Sequence, residues 1–206
     1  MTPTKDKILD SAERLFGLRG FDATSLRSIT SEAGVNLAAV NYHFQSKDAL
    51  IHAVLARRLG PINQRRLELL DACEKAEPLC LDAVLRAFIL PLLEQAHTRT
   101  EHLAPLMGRM YTEPAGFFER VIRDHLRIVL ERFSAAFRRA LPGLPETALF
   151  WRLHFLIGAI AHTLAGASAL RFISDGRCDA RDFEEAAKQM TAFVRAGLRA
   201  PVPGAN

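Results

Sequence analysis

A chain of 206 residues with 49% hydrophobic content is long enough for one domain or two small ones and too apolar for an intrinsically disordered polypeptide. Its net charge of +4 and pI near 9.2 are compatible with a polyanionic partner but fall short of defining one. Three cysteines, Cys73, Cys80 and Cys178, are odd in number and show no CxxC spacing, which points to neither a disulfide framework nor a zinc site and fits a reducing cytoplasm.

The N-terminal MTPTKDKILDSAERLF scatters charge through its length and has no apolar run of signal-peptide length, so nothing in it directs export and a cytoplasmic protein is expected. A first helix is predicted from about Lys5 to Arg19, with Ile8, Leu9, Ala12, Leu15 and Phe16 on one face and Gly20 as its stop. Thr24 and Ser25 can accept from the orphan amides of a second helix, in which Leu26, Ile29 and Ala33 recur at helical spacing. Gly34-Val35-Asn36 then forms a sharp turn, with Asn36 capping a third helix from Leu37 to Phe44. That helix can bury Val40, Phe44 and one end of Leu37, which leaves Ala38, Ala39, Asn41, Tyr42 and His43 available. Ser46 can cap a fourth helix whose first turn carries Lys47. Two short helices about a tight turn are a helix-turn-helix, and the second is suited to the major groove of DNA.

From residue 5 to residue 52 this segment resembles the DNA-binding region of the tetracycline-repressor (TetR) family. The resemblance is carried by the ILDSAERLFGLRGF lead-in, the TSLRSIT entry, the AGV turn and the YHFQSKDAL close. His43, Phe44 and Lys47 match the family pattern without a shift. Its commonest form has tyrosine directly after the buried aliphatic residue, where this chain has Asn41, and Tyr42 follows one step later. The resemblance implies DNA contacts from Thr24, Ser25, Arg27, Asn36, Leu37, Ala38, Ala39, Asn41, Tyr42, His43 and Lys47. Leu37, Ala38, Ala39 and Asn41 are candidates for base edges, and Thr24, Ser25, Arg27, Tyr42, His43 and Lys47 for phosphates. Whether Asn41 or Tyr42 meets base or phosphate stays open.

The fourth helix is expected to continue to Leu70 with a kink or break at Gly60-Pro61. Beyond Pro78 the pattern is helical almost without pause, over about Leu79 to His97, Glu101 to Tyr111, Pro114 to Ala140, Pro145 to Phe172 and Asp179 to Leu198. Asp179 and Asp182 read as a capping arrangement for the last of these. The stretch Leu153 to Ile173 approaches the length of a membrane span, but His154, His162 and Arg171 and its alanines and glycines favour a buried helix in a helical bundle. The predicted architecture is all-α, with a helix-turn-helix DNA-binding domain over 1–48 and a helical bundle for ligand binding and dimerisation over 49–206.

Small residues crowd the last two long helices, including Gly158, Ala159, Ala161, Ala165 and Gly166, then Ala186, Ala187, Ala192 and Ala196. They suit a homodimer interface of two helices from each subunit, an arrangement the family resemblance also implies. Ahead of them lies a run of flexible and aromatic groups in which the resemblance implies a small-molecule pocket. Its candidate lining is Phe88, Leu92, Leu106, Met107, Met110, Tyr111, Phe117, Val121 and Phe155, with Arg109, His125 and His154 to orient a polar end. The MGRMYTEP segment loosely resembles regulators that respond to acyl chains, so acyl or aromatic effectors rank first. No HExxH, GxSxG or phosphate-cradling spacing occurs, and neither catalysis nor a metal nor another cofactor is expected. The combined reading is a ligand-responsive repressor that acts on a palindromic double-stranded DNA operator, with no membrane partner. An architectural DNA-binding protein without effector, or a helical small-molecule carrier or enzyme, are the alternatives.

Overall fold

The computed structural model describes residues 3–98, 103–110, 113 and 116–203. Among them there are helices and no strands: α1 (Pro3–Arg19), α2 (Leu26–Ala33), α3 (Leu37–Phe44), α4 (Lys47–Cys73), α5 (Leu81–Thr98), α6 (Leu103–Met110), α7 (Phe117–Val121), α8 (Arg127–Ala140), α9 (Glu146–Ala165), α10 (Ala167–Ile173) and α11 (Phe183–Arg199). Residues Ile122–Leu126, between α7 and α8, form a π-helical turn.

The chain divides into two compact units, one of residues 1–61 with 100–125 and the other of 62–99 with 126–206. The contiguous division at residue 48 read from the sequence does not include 100–125 in the first unit. α1 organises that unit. Its apolar stripe, Ile8, Leu9, Ala12, Leu15 and Phe16, is buried to within 2% exposure, and α2, α3 and α6 pack on it. Ile29 from α2, Val40 and Phe44 from α3 and Leu50 and Val54 from α4 complete the core.

A carboxylate is buried in the same stripe. Glu13 is 2% exposed and bridges to α4, accepting from Arg57 Nη2 at 2.7 Å and from Arg58 Nε at 2.7 Å. Arg57 also donates to Asp10 at 2.7 Å. Arg14 pairs with Glu32 and so ties α1 to α2.

In the second unit α5 packs against α11 and α8, and α9 against α11 and α8. Val84, Leu85, Ile89, Phe133, Phe137, Leu156, Val194 and Leu198 form its core. Arg66 is 5% exposed, donates from Nε to the Phe88 carbonyl at 2.8 Å and lies with its guanidinium 4.3 Å from the Phe88 ring centroid.

Several boundaries differ from the predicted ones for identifiable reasons. α4 runs through Pro61 without a break. Proline removes one backbone hydrogen bond, and the fully buried Ile62 and nearly buried Leu59 beside it hold the helix together. The predicted helix from 114 to 140 is divided by the π-turn. The stretch Leu153 to Ile173 breaks at Gly166. Of the described helices, α9 alone is long and apolar enough to cross a bilayer, and 28% of that window is buried. α11 starts at Phe183, with Asp182 as its cap accepting from the Glu185 amide at 3.2 Å, while Asp179 engages Arg181 ahead of the helix. The Arg181 guanidinium and backbone amide, helped by the charge of Arg171, hold the Asp179 carboxyl down at about 2.

Because Glu13 sits dry between two guanidinium groups, Glu13→Ala takes its carboxylate from Arg58 and leaves Arg57 with Asp10, and is expected to destabilise the protein by about 3–5 kcal/mol. Urea unfolding of the two proteins measures the difference.

Candidate nucleic-acid interface

The α2–α3 pair is fixed by its ends. Ser25 adopts an extended backbone and its hydroxyl accepts from the Ser28 amide at 3.1 Å, capping α2. Gly34 closes α2 at φ 64°, ψ 35°, a left-handed conformation in which a Cβ is costly. The Asn36 side-chain oxygen accepts from the Ala39 amide at 2.9 Å and starts α3. α3 ends on Gln45, whose amide donates to the Asn41 carbonyl at 3.0 Å, and Ser46 caps α4 by accepting from the Ala49 amide at 3.0 Å.

With Val40 and Phe44 turned inward, α3 presents Leu37, Ala38, Asn41 and Tyr42 on its open side. Leu37 is 44% exposed and Tyr42 83%, a poor arrangement for an isolated surface and a suitable one for a covered surface. Ala39 and His43 are half-buried at its margin, and Ser25 and Arg27 are exposed at the start of α2. The Tyr42 and His43 rings meet edge to face with centroids 5.0 Å apart. Lys47 donates from Nζ to the Asp22 carbonyl at 2.8 Å, which holds this cation at the α1–α2 connection.

Thr24 has a different place from the one expected. It is 1% exposed, and its hydroxyl lies 2.7 Å from the Gly20 carbonyl and 3.2 Å from that of Leu15, so it fastens the end of α1 and does not face a phosphate. Asn36 commits its side-chain oxygen to the cap.

The residues expected to line an effector pocket fall in separate places. Phe88 and Leu92 are buried in the second unit. Leu106, Met107 and Met110 are buried in the first unit on α6, which packs on α1. Val121 is buried there too, and the Phe117 ring lies tilted against Phe21 with centroids 4.7 Å apart. Arg109 donates from Nη2 to the Leu18 carbonyl at 2.8 Å, and His125 pairs with His52. His154 and Phe155 lie on an exposed side of α9 beside Trp151, with Phe155 62% exposed. Tyr111 lies outside the described residues.

Sequence reading missed two contacts of α1. Glu113 accepts from the Phe21 amide at 2.8 Å, and Gly20 beside it has φ 90°, where an added Cβ would lie 2.8 Å from Glu113 Oε1. No local signal marks a contact across 92 residues. Glu13 did leave one, since it follows Leu9 by four residues and precedes Phe16 by three on the apolar stripe. Among the described residues no group of three or more His, Cys, Asp or Glu is placed to hold a metal ion.

A capped helix pair of this geometry, whose second helix turns Val40 and Phe44 inward and keeps its other side open, defines a helix-turn-helix of the DNA-binding kind. Residues 8–54 match the family described as bacterial regulatory proteins, tetR family, and residues 86–197 match the tetracyclin repressor-like C-terminal domain. The chain belongs to the TetR family of DNA-binding, ligand-responsive transcriptional regulators, which are not enzymes. It is 31% identical over 146 residues to the transcriptional regulator TtgR of Pseudomonas putida, a match covering 68% of this chain and 69% of that one. It is 43% identical over 53 residues to the probable regulator YttP of Bacillus subtilis, where the match spans 26% of either chain. With AcrR of Shigella flexneri it shares 35% identity over 95 residues, 46% of this chain and 42% of the relative. The fold is similar to that of SmeT from Stenotrophomonas maltophilia, with a TM-score of 0.63, 23% identity and coverage of 97% and 94% of the two chains. It is also similar to FadR from Bacillus halodurans, with a TM-score of 0.67, 16% identity and coverage of 98% and 99%.

Capping and reading are separable here. Asn36→Ala is expected to cost about 1 kcal/mol of stability through the lost cap, whereas Tyr42→Ala changes stability by less than about 0.5 kcal/mol and acts on DNA affinity. Thermal melts paired with titrations against operator DNA separate the two.

Proposed function

We propose that this protein is a repressor that binds a palindromic operator as a homodimer and leaves it when a hydrophobic small molecule binds. The carrying observation is the open face of α3, where Leu37, Ala38 and Asn41 stand clear of the core on a helix locked by caps at its start and by Gln45 at its end. Leu37, Ala38 and Ala39 suit thymine methyls and Asn41 suits adenine, while Ser25, Arg27, Tyr42, His43 and Lys47 take phosphates.

Dimerisation is assigned to α9 and α11. α9 is predominantly apolar but fully buries only one stripe, Leu149, Leu156, Ile160 and Leu164. Its other side leaves Phe150 53%, Trp151 64% and Phe155 62% exposed, and Phe193 of α11 is 74% exposed. A surface of that kind is expected to be covered by a second copy, which places two α3 helices on successive major grooves.

The effector is assigned to acyl or aromatic compounds. SmeT has been solved as a complex with triclosan, and FadR is a fatty acid degradation regulator. α6 offers a route for the response, because Leu106, Met107 and Met110 pack on α1 while Arg109 grips the carbonyls at the end of that helix. A ligand that prefers one placement of α6 shifts the DNA-binding helices, and one with equal affinity for both placements shifts nothing.

Binding-site selection with purified protein, repeated with a panel of fatty acyl and aromatic compounds, tests the proposal. The expected outcome is a palindromic site released by at least one compound, and the absence of any preferred sequence would sink it. Asn41→Ala is expected to relax preference at one base position by about 1–3 kcal/mol, and Lys47→Ala to weaken all sequences alike and reduce the salt slope by about one. Phe155→Glu is expected to give monomers in sedimentation experiments.

A further inference from the structure

His52, in the second turn of α4, and His125, in the π-turn, place Nδ1 and Nε2 3.1 Å apart, with ring centroids separated by 5.3 Å, so the two nitrogens meet head to head. The other nitrogen of His52 lies 3.6 Å from the Asp124 carboxylate. All three side chains belong to the first unit, with the DNA-binding helices. None has a part in the DNA face or in the α1 core. π-Turns cost regular hydrogen bonding and recur where a side chain has to be re-aimed.

We propose that His52 and His125 form a proton-operated clasp between α4 and the Ile122–Leu126 turn, closed while at most one of the two rings is charged and opened when both are. A neutral imidazole has one N–H and one lone pair, and an imidazolium has two N–H groups and no lone pair. A contact between facing nitrogens therefore requires one proton between them. The first added proton is accommodated, because one of the facing nitrogens still has a lone pair to accept the bond from the other. The second has to occupy the lone pair that accepts this bond, leaving two donors opposed at hydrogen-bond distance.

His52 from α4 and Asp124 beside it both act on the charge of His125. Burial holds the His125 imidazole below its ordinary value, the charge of His52 adds to that effect, and Asp124 opposes it. The unfolded chain thus takes up this proton before the folded one does. The clasp contributes stability that is complete above the ordinary imidazole range and is lost as pH falls through the lower folded value. Opening frees the second turn of α4, five residues after Lys47, from the Ile122–Leu126 turn.

The test is an NMR pH titration of the imidazoles in the full-length protein and in His52→Gln and His125→Gln, with thermal melts between about pH 7.5 and pH 5.5. In the wild type His125 is expected to titrate below the exposed histidines, and in His52→Gln to move upward. The wild-type melting temperature is expected to fall more steeply toward acid than that of His125→Gln. An unmoved His125 titration in His52→Gln, or parallel melting profiles, overturns the proposal. Should one variant fold poorly, the wild-type titration together with the other variant decides it.

Discussion

The first unit depends on one buried charge. Glu13 has lost nearly all its water and recovers the loss from Arg57 and Arg58, which approach from α4 at 2.7 Å. An apolar residue at that position would bury as well, but it would accept α4 at many rotations. A carboxylate held by two forked cations accepts one. The consequence reaches the DNA face, because α4 begins directly after α3 and its start fixes where α3 ends. Ser46, Lys47 and the α1–α2 connection at Asp22 are then positioned by the same registration.

The far end of α1 is held from another part of the chain. Arg109 donates to the Leu18 carbonyl, Glu113 accepts from the Phe21 amide and the Phe117 ring lies tilted against Phe21, so these three residues fasten the helix terminus where the chain turns toward α2. These bonds use backbone groups that a helix end leaves unpaired. They hold the turn without occupying any group needed at the DNA face. Leu106, Met107 and Met110 are buried beside them on α6, so apolar packing on α1 adds to these bonds.

The fold was legible in the sequence wherever a local rule sufficed. The stripe of α1, the glycine and asparagine of the turn and the inward Val40 and Phe44 each follow from periodicity or capping, and the all-helical architecture follows from their repetition. Thr24 was misread because a threonine before a helix looks like a cap. Ser25 holds that role, and the Thr24 hydroxyl turns back to α1. Pro61 looked like an interruption because propensity disregards the burial of Ile62. The scatter of the pocket candidates has a similar cause. Methionine and phenylalanine at helical spacing identify an inward face but not which neighbour it meets, and Phe155 shows that such a face can also be left open. Glu113 and the His52–His125 pair join positions far apart in the chain, and no local pattern announces them.

The way α3 is built also bears on how such a protein changes over generations. Its inward side rests on Val40 and Phe44, and its ends are held by Asn36 and by the Gln45 amide. Positions 38, 41 and 42 contribute little to that scaffold and face outward. Exchanging side chains there costs little folding free energy, because exposed positions away from caps and cores tolerate substitution. If Ala38 and Asn41 read bases as proposed, a duplicated copy of the gene can drift to a new DNA sequence through those two positions at little cost to folding.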